Sequence, residues 1–237
     1  MKTIAIIPCY NENPETVQDV VDRTKEYVDE VLVIDDGSKI PIELKNCKIL
    51  RNEPNRGKGF SLIRGFDYGK RNNFDVLITL DSDGEHLPEE IPLFLEKIKN
   101  YDFVIGQRKS YRSFKRKALN YFATFWFMLL IPGIRDMYCG FRTIKIEKLK
   151  EMEINDSNFE LEPEMLLDAV KKKIKIGFVD IKTNPLEKSH LKFENYLRTN
   201  NMYDRWILEN YKYLNFGKRL ILVPSAYIGL KITKLLR

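Results

Sequence analysis

The sequence predicts an α/β fold: a doubly wound, mostly parallel sheet with helices on both faces, followed by a C-terminal helical extension. Three observations carry this. Short apolar runs alternate with stretches of helical spacing, which is the rhythm of right-handed βαβ units. The run Val76-Leu77-Ile78-Thr79-Leu80 is apolar and β-branched, as suits a strand buried on both faces. Three such runs end in polar clusters: Pro8-Cys9-Tyr10-Asn11-Glu12, Asp35-Asp36-Gly37-Ser38 and Asp81-Ser82-Asp83-Gly84-Glu85. Parallel strands bring all three to one carboxyl edge, where open sheets bind ligands.

The elements follow in order. Thr3–Ile7 reads as the first strand and Pro8–Pro14 as a loop. Pro14 suits the first turn of a helix, which Val17, Val20, Val21, Thr24 and Val28 continue at helical spacing. Glu30–Ile34 and Lys48–Arg51 are the next strands. Asn52–Gly59 is a loop and Phe60–Arg71 a helix. The central strand, a helix near Pro88–Ile98 and a strand at Asp102–Gly106 complete the alternation.

A chain of 237 residues is long enough for one large domain, or a domain with a helical appendage. Its net charge is +6 and unevenly placed. A basic cluster, Gln107–Lys117, runs into the apolar Phe122–Ile131, and Lys218–Arg237 repeats that mixture. Such mixtures suit an anionic membrane surface; a buried or amphipathic core helix is the alternative. No apolar run is long enough to span a bilayer comfortably. No recognised nucleic-acid module is present, so nucleic acid is not an expected partner. The chain opens on a strand rather than an apolar leader. Cys9, Cys47 and Cys139 form no metal-ligand or C-x-x-C pattern. The expectation is a reduced, cytoplasmic protein, peripheral on the inner face of the membrane.

The chemistry centres on Asp81 and Asp83. Two carboxylates two residues apart can turn their oxygens to one point, and such oxygens suit Mg²⁺ or Mn²⁺. Mg²⁺ typically bridges one or two carboxylates to substrate phosphates. Glu85 is a further candidate ligand, or orients a metal-bound water. The alternative is an acidic turn, since Asp, Ser and Gly are ordinary turn residues. The remaining acids, Asp36 and Glu12, are candidates to accept hydrogen bonds from a ribose or a base. Tyr10 is a candidate to flank the base. Lys58, in Arg56-Gly57-Lys58-Gly59, is placed to neutralise a diphosphate; a plain helix N-terminus is the alternative. There is no Walker P-loop and no G-x-G-x-x-G after the first strand.

These motifs resemble family-2 glycosyltransferases of the GT-A fold. Downstream, Gly106-Gln107-Arg108, Asp136-Met137-Tyr138-Cys139-Gly140-Phe141-Arg142 and Phe159-Glu160-Leu161-Glu162-Pro163-Glu164 resemble the branch that glycosylates polyprenyl phosphates, as dolichol-phosphate mannose synthases do. The resemblance covers roughly residues 3–190, which gives an expected GT-A domain over 1–190 and a helical, membrane-associated extension over 191–237. It implies a nucleotide-diphosphate sugar donor such as GDP-mannose or a UDP-sugar, inversion at the anomeric carbon, Mg²⁺ or Mn²⁺ at Asp81, Asp83 and Glu85, and a polyprenyl or dolichyl phosphate acceptor. The expected nucleotide-sugar set is Pro8, Tyr10, Asn11, Glu12, Asp35, Asp36, Lys58 and Asp81. Asp136, Arg108 and Arg142 are the catalytic candidates; Arg108, Arg112 and Ser189 are the acceptor candidates. Arg108, Arg112 and Arg116 would share one face if their stretch is helical.

The sequence departs from the branch in three places. Glu85 stands where the branch often has Gln. Asp180-Ile181-Lys182-Thr183 replaces an acidic-Val-Pro-Val-like strand end. Glu187-Lys188-Ser189-His190 replaces a Gly-x-Ser-Lys block. An alcohol acceptor is therefore the alternative, and would require Asp136 as general base. A non-catalytic sugar-nucleotide or membrane-binding protein, a pyrophosphorylase and a processive polysaccharide synthase rank below. Arg205-Trp206 reads as a helix-packing pair.

Overall fold

The computed structural model describes residues 1–109, 121, 124, 125, 127–154, 161–184 and 193–235. Strand β1 is Thr3–Cys9, β2 Glu30–Asp35, β3 Lys48–Arg51, β4 Val76–Thr79, β5 Phe103–Arg108, β6 Arg142–Lys145 and β7 Ile176–Ile181. Helices are α1 Pro14–Lys25, α2 Lys58–Arg71, α3 Ile91–Lys97, α4 Ile146–Glu151, α5 Leu161–Lys171, α6 Phe193–Asn210 and α7 Phe216–Leu235. The strands form a seven-stranded sheet in the order β3-β2-β1-β4-β6-β5-β7.

β1 pairs in parallel with β2 and β4, β2 with β3, and β5 with β7. Among the described strands β6 alone is antiparallel, to both β4 and β5. The sequence reading did not mark it as a strand. Its consequence for the site is large. An antiparallel strand begins where its neighbour ends, so the chain entering β6 must cross the carboxyl edge of β4. The pairing Thr79↔Arg142 fixes that register.

Period-two alternation sends side chains to opposite faces. Ile4, Ile6, Leu32, Ile34 and Leu77 face a core shared with Leu62 and Phe66 of α2. Ala5, Ile7, Val31, Val33 and Ile78 face a second core with Val17, Val20 and Val21 of α1 and Phe94 of α3. Helices thus cover both faces, which explains the near-continuous apolar strands.

Local signals explain the helix starts. Asn13 caps α1, its Oδ1 accepting from Glu15 N at 2.8 Å and Thr16 N at 3.4 Å, with Pro14 in the first turn. Gly57, at φ 93°, turns the chain into α2. Gly65 lets α2 approach β1: a Cβ there would run into Ile6 Cγ2.

The C-terminal helices join the larger core. Tyr203 and Ile207 of α6 and Leu222 and Ala226 of α7 are buried in the same cluster as Ile4 and Leu77. Phe127, Leu130 and Ile131 are buried with them, and the Phe127 ring lies 4.8 Å from that of Tyr203. For these described members of the 122–131 run, core packing is the outcome. No helix among the described residues is long and apolar enough to cross a membrane.

Candidate active site

The carboxyl ends of β1, β2 and β4 form one edge, as the polar clusters required. Asn11 ties the first two loops together: its backbone N donates to Ser38 Oγ at 2.9 Å and its Oδ1 accepts from Lys39 N at 2.9 Å. Asn11 adopts φ 52° to do so. Tyr10 beside it is half exposed, an open aromatic face on that edge. Pro8 is buried within β1, and Glu12 is partly exposed after it.

Asp35 and Asp36, both expected in the nucleotide-sugar set, already carry protein partners. Asp35 is buried; Oδ1 accepts from Ser38 N at 3.0 Å, while Oδ2 is ion-paired with Arg51. Burial opposes its charge, but the Ser38 and Arg51 bonds hold its carboxyl below the usual range. Asp36 accepts from Asn52 Nδ2 at 2.7 Å, Arg56 N at 3.0 Å and Gly57 N at 2.7 Å. Both carboxylates therefore hold the loops in shape. Gly37, at φ 72°, is required between them because a Cβ would meet Asn55 N at 2.6 Å.

The centre of the edge is built from two cations, the half-buried Lys58 and the nearly buried side chain of Arg108, each shared by two acids. Lys58, the first residue of α2, places Nζ 2.7 Å from Asp81 Oδ1 and 3.1 Å from Glu162 Oε1. Burial alone would depress this lysine; the two carboxylates instead hold it above its ordinary range. Burial likewise opposes the charge of Asp81, and Lys58 outweighs it, so that carboxyl stays well below the usual range. Arg108, the last residue of β5, grips Asp136 with both ends of its fork, Nε to Oδ2 at 2.6 Å and Nη2 to Oδ1 at 3.0 Å. Its Nη1 reaches Glu85 Oε1 at 3.2 Å. Asp136 is fully buried.

Asp83 stands apart from these pairs. Burial and the neighbouring Asp81 push its carboxyl up to about 7. Its Oδ1 accepts from Glu85 N at 3.0 Å. The pair Asp81 and Asp83 thus offers hard oxygen donors with surplus negative charge, which fits Mg²⁺ or Mn²⁺. Among the described residues no three acidic, His or Cys side chains gather around one point. Glu85, expected as a third ligand, is turned onto Arg108. The fitting donors are therefore Asp81 and Asp83.

Arg142, expected in the catalytic set, is instead committed to backbone carbonyls. It is buried, and its guanidinium donates to Cys139 O at 2.8 Å, Glu162 O at 2.6 Å and Met137 O at 2.5 Å. It braces the chain that crosses the β4 edge and touches no open surface. The shared helix face of Arg108, Arg112 and Arg116 is also corrected at Arg108, which ends a strand. Arg112, Arg116, Ser189 and His190 lie outside the described residues.

His86 is structural. Its Nδ1 accepts from Asp81 N at 3.1 Å, and burial lowers its pKa, so it stays neutral and fixes the Asp81 turn. Burial pushes the Cys9 and Cys139 thiols up to about 11 and about 12, so neither is a nucleophile at neutral pH.

Two participants carried no individual role in the sequence reading. Glu162 is buried beside Lys58. Gly140 forms the wall of the central pair: a Cβ there would meet Asp81 Oδ1 at 3.0 Å and Lys58 Nζ at 3.1 Å. Each sat inside a recognised motif, yet only the fold shows what it touches.

An open, mostly parallel sheet with one antiparallel insertion and an Asp-x-Asp at its carboxyl edge is the GT-A fold. Residues 4–152 match Glycosyl transferase family 2, and the chain belongs to that family. It is 35% identical to an uncharacterized protein of Methanocaldococcus jannaschii, over 73% of this chain and 84% of that one. It is 28% identical to the undecaprenyl-phosphate mannosyltransferase of Micrococcus luteus, over 65% of this chain and 71% of the relative. Its fold is similar to glucosyl-3-phosphoglycerate synthase from Mycobacterium tuberculosis, solved with Mn²⁺, UDP-glucose and phosphoglyceric acid. That match has a TM-score of 0.69 at 18% identity and covers 91% of this chain and 82% of that one. The protein is a glycosyltransferase.

Proposed function

We propose that this glycosyltransferase moves a hexosyl group from a nucleotide-diphosphate sugar to a polyprenyl or dolichyl phosphate at a membrane surface. The observation that carries it is the cation arrangement: Lys58 on Asp81 and Glu162, and Arg108 on Asp136 and Glu85. Relatives such as the undecaprenyl-phosphate enzyme support the acceptor class.

The residues divide the work. The diphosphate lies toward Lys58 and the Asp81/Asp83 pair, with the nucleoside on the edge formed by Pro8, Tyr10 and Glu12. Asp81 and Asp83 would hold a divalent ion, which would supply charge neutralisation for a departing diphosphate. Lys58 adds a second positive charge at the same place. An oxygen of the acceptor phosphate attacks the anomeric carbon from the opposite face. The new C–O bond forms as the bond to the nucleoside diphosphate breaks, and the diphosphate keeps the electron pair. Configuration inverts.

A phosphate monoester is already anionic near neutral pH and needs positioning rather than a base. Asp136, buried and gripped by Arg108, is suited to orienting that arginine. The Nη1 contact of Arg108 with Glu85 is the one an acceptor phosphate would replace. An alcohol acceptor would instead need Asp136 as a base, and its bidentate pairing weighs against that.

The test is a thermal-shift panel of GDP and UDP with and without Mn²⁺. A ligand at ~100 times its dissociation constant adds about 2.7 kcal/mol of stability. A Mn²⁺-dependent shift with one nucleotide is expected, together with its loss and loss of sugar transfer in Asp83→Ala. Full transfer by that variant would sink the site.

A further inference from the structure

Helix α7 has two unlike sides. Leu222 and Ala226 are buried toward the core. The other side exposes Phe216 at 76%, Leu220 at 62%, Ile221 at 59%, Tyr227 at 60% and Ile228 at 59%. At 100° per residue these five share one face, which also carries the exposed Pro224. Tyr211 and Tyr213, exposed just before the helix, add aromatic rings with polar tips. An apolar patch of this kind on a water-facing helix marks a contact surface.

Charge selects the occupant. From Asn210 to the end, the sequence holds six basic residues, Lys212, Lys218, Arg219, Lys231, Lys234 and Arg237, and no Asp or Glu. A second copy docked through this face would set two basic segments together with no acid of their own to pair. A bilayer surface carrying anionic phosphates answers both features: the apolar face enters the interface and the exposed Lys212 and Lys231 reach headgroups. Tyrosines favour that depth.

We propose that α7 lies flat on an anionic phospholipid surface, with Phe216, Leu220, Ile221, Tyr227 and Ile228 entering the interface. The helix is tied to the site. Lys218 Nζ donates to Leu130 O at 2.9 Å, on the stretch that leads to Asp136. This deepens the proposed function, because it names the surface through which the site meets a lipid-borne acceptor; its purpose rests on that reading, its test does not.

The experiment is flotation of the full chain with phosphatidylcholine vesicles, with and without phosphatidylglycerol. The wild type is expected to float with the anionic vesicles, and the Leu220→Glu/Ile228→Glu double variant to lose at least about tenfold in the bound fraction. Melting curves check its fold; Ile221→Ser/Tyr227→Ser is the milder second variant. Both should keep the wild-type nucleotide shift, so failure of the donor reading would show there and not in flotation. Absence of wild-type flotation overturns the proposal, as does equal flotation of both folded variants. So does a wild-type dimer in sedimentation that either variant dissociates, which would make a second copy the occupant.

Discussion

Arg108 ends β5 and Arg142 begins the neighbouring β6, yet their environments give them different tasks. The Arg142 fork is spent on three backbone carbonyls, so its removal would leave those acceptors buried and unpaired. Each orphaned group costs roughly 1–3 kcal/mol. Arg142→Met should therefore destabilise the fold by about 3 kcal/mol or more, measured as a lower urea midpoint, and any activity loss should track unfolding. Arg108 instead faces one partner on each side, Asp136 and Glu85. Asp83→Ala belongs to a third kind: the residue is under charge repulsion from Asp81, so the variant should fold normally while losing the Mn²⁺-dependent nucleotide shift.

At the scale of elements, close approach decides most. Gly65 brings α2 against β1, and its replacement by Ala would drive a Cβ into Ile6. Overpacking of this kind costs about 1–3 kcal/mol, so Gly65→Ala should lower the thermal midpoint without changing nucleotide specificity. The α6–α7 contact carries a second case. Asp204 packs against Gly229, where a Cβ would lie within 3.1 Å of Asp204 Oδ1. Burial pushes the Asp204 carboxyl up to about 7. A folded-state pKa above the unfolded value of about 3.9 means the folded chain holds the proton more tightly. Its contribution is therefore favourable at low pH and is lost as pH rises through about 7. Asp204→Asn should melt higher than wild type at about pH 8, and the gap should narrow at about pH 5 and close only below the unfolded pKa of about 3.9. An equal gap at both would disprove this assignment.

For the whole molecule, the shared core is the decisive feature. Tyr203, Ile207, Leu222 and Ala226 bury with the sheet residues Ile4, Ile6 and Leu77. A common core couples the C-terminal helices to the sheet in one cooperative unit. Unfolding followed by tryptophan fluorescence, with Trp206 on α6, should coincide with unfolding followed by circular dichroism. Two separate transitions would mean that residues 193–235 fold independently. The basic, acid-free C-terminal segment then gives this compact unit a directional surface rather than a diffuse charge.

By itself the sequence determined the α/β alternation, the three parallel strands that share a carboxyl edge, and the Asp81/Asp83 pair on that edge. These were legible because they are local: apolar runs of strand length, helix starts such as Asn13-Pro14, and polar residues at fixed offsets from strand ends. The motifs also pointed to the family. What the tertiary structure alone decided was which charges meet. β6 showed no distinctive period, being four residues long, and its antiparallel insertion between β4 and β5 is a choice of long-range pairing. That choice carries Asp136 to Arg108 and Gly140 to Asp81, and α5 brings Glu162 to Lys58. Packing likewise commits Asp35 to Arg51 and Ser38, Asp36 to Asn52, Arg56 and Gly57, and Arg142 to three backbone carbonyls. Sequence lists donors and acceptors; only packing determines which of them are already taken when a substrate arrives.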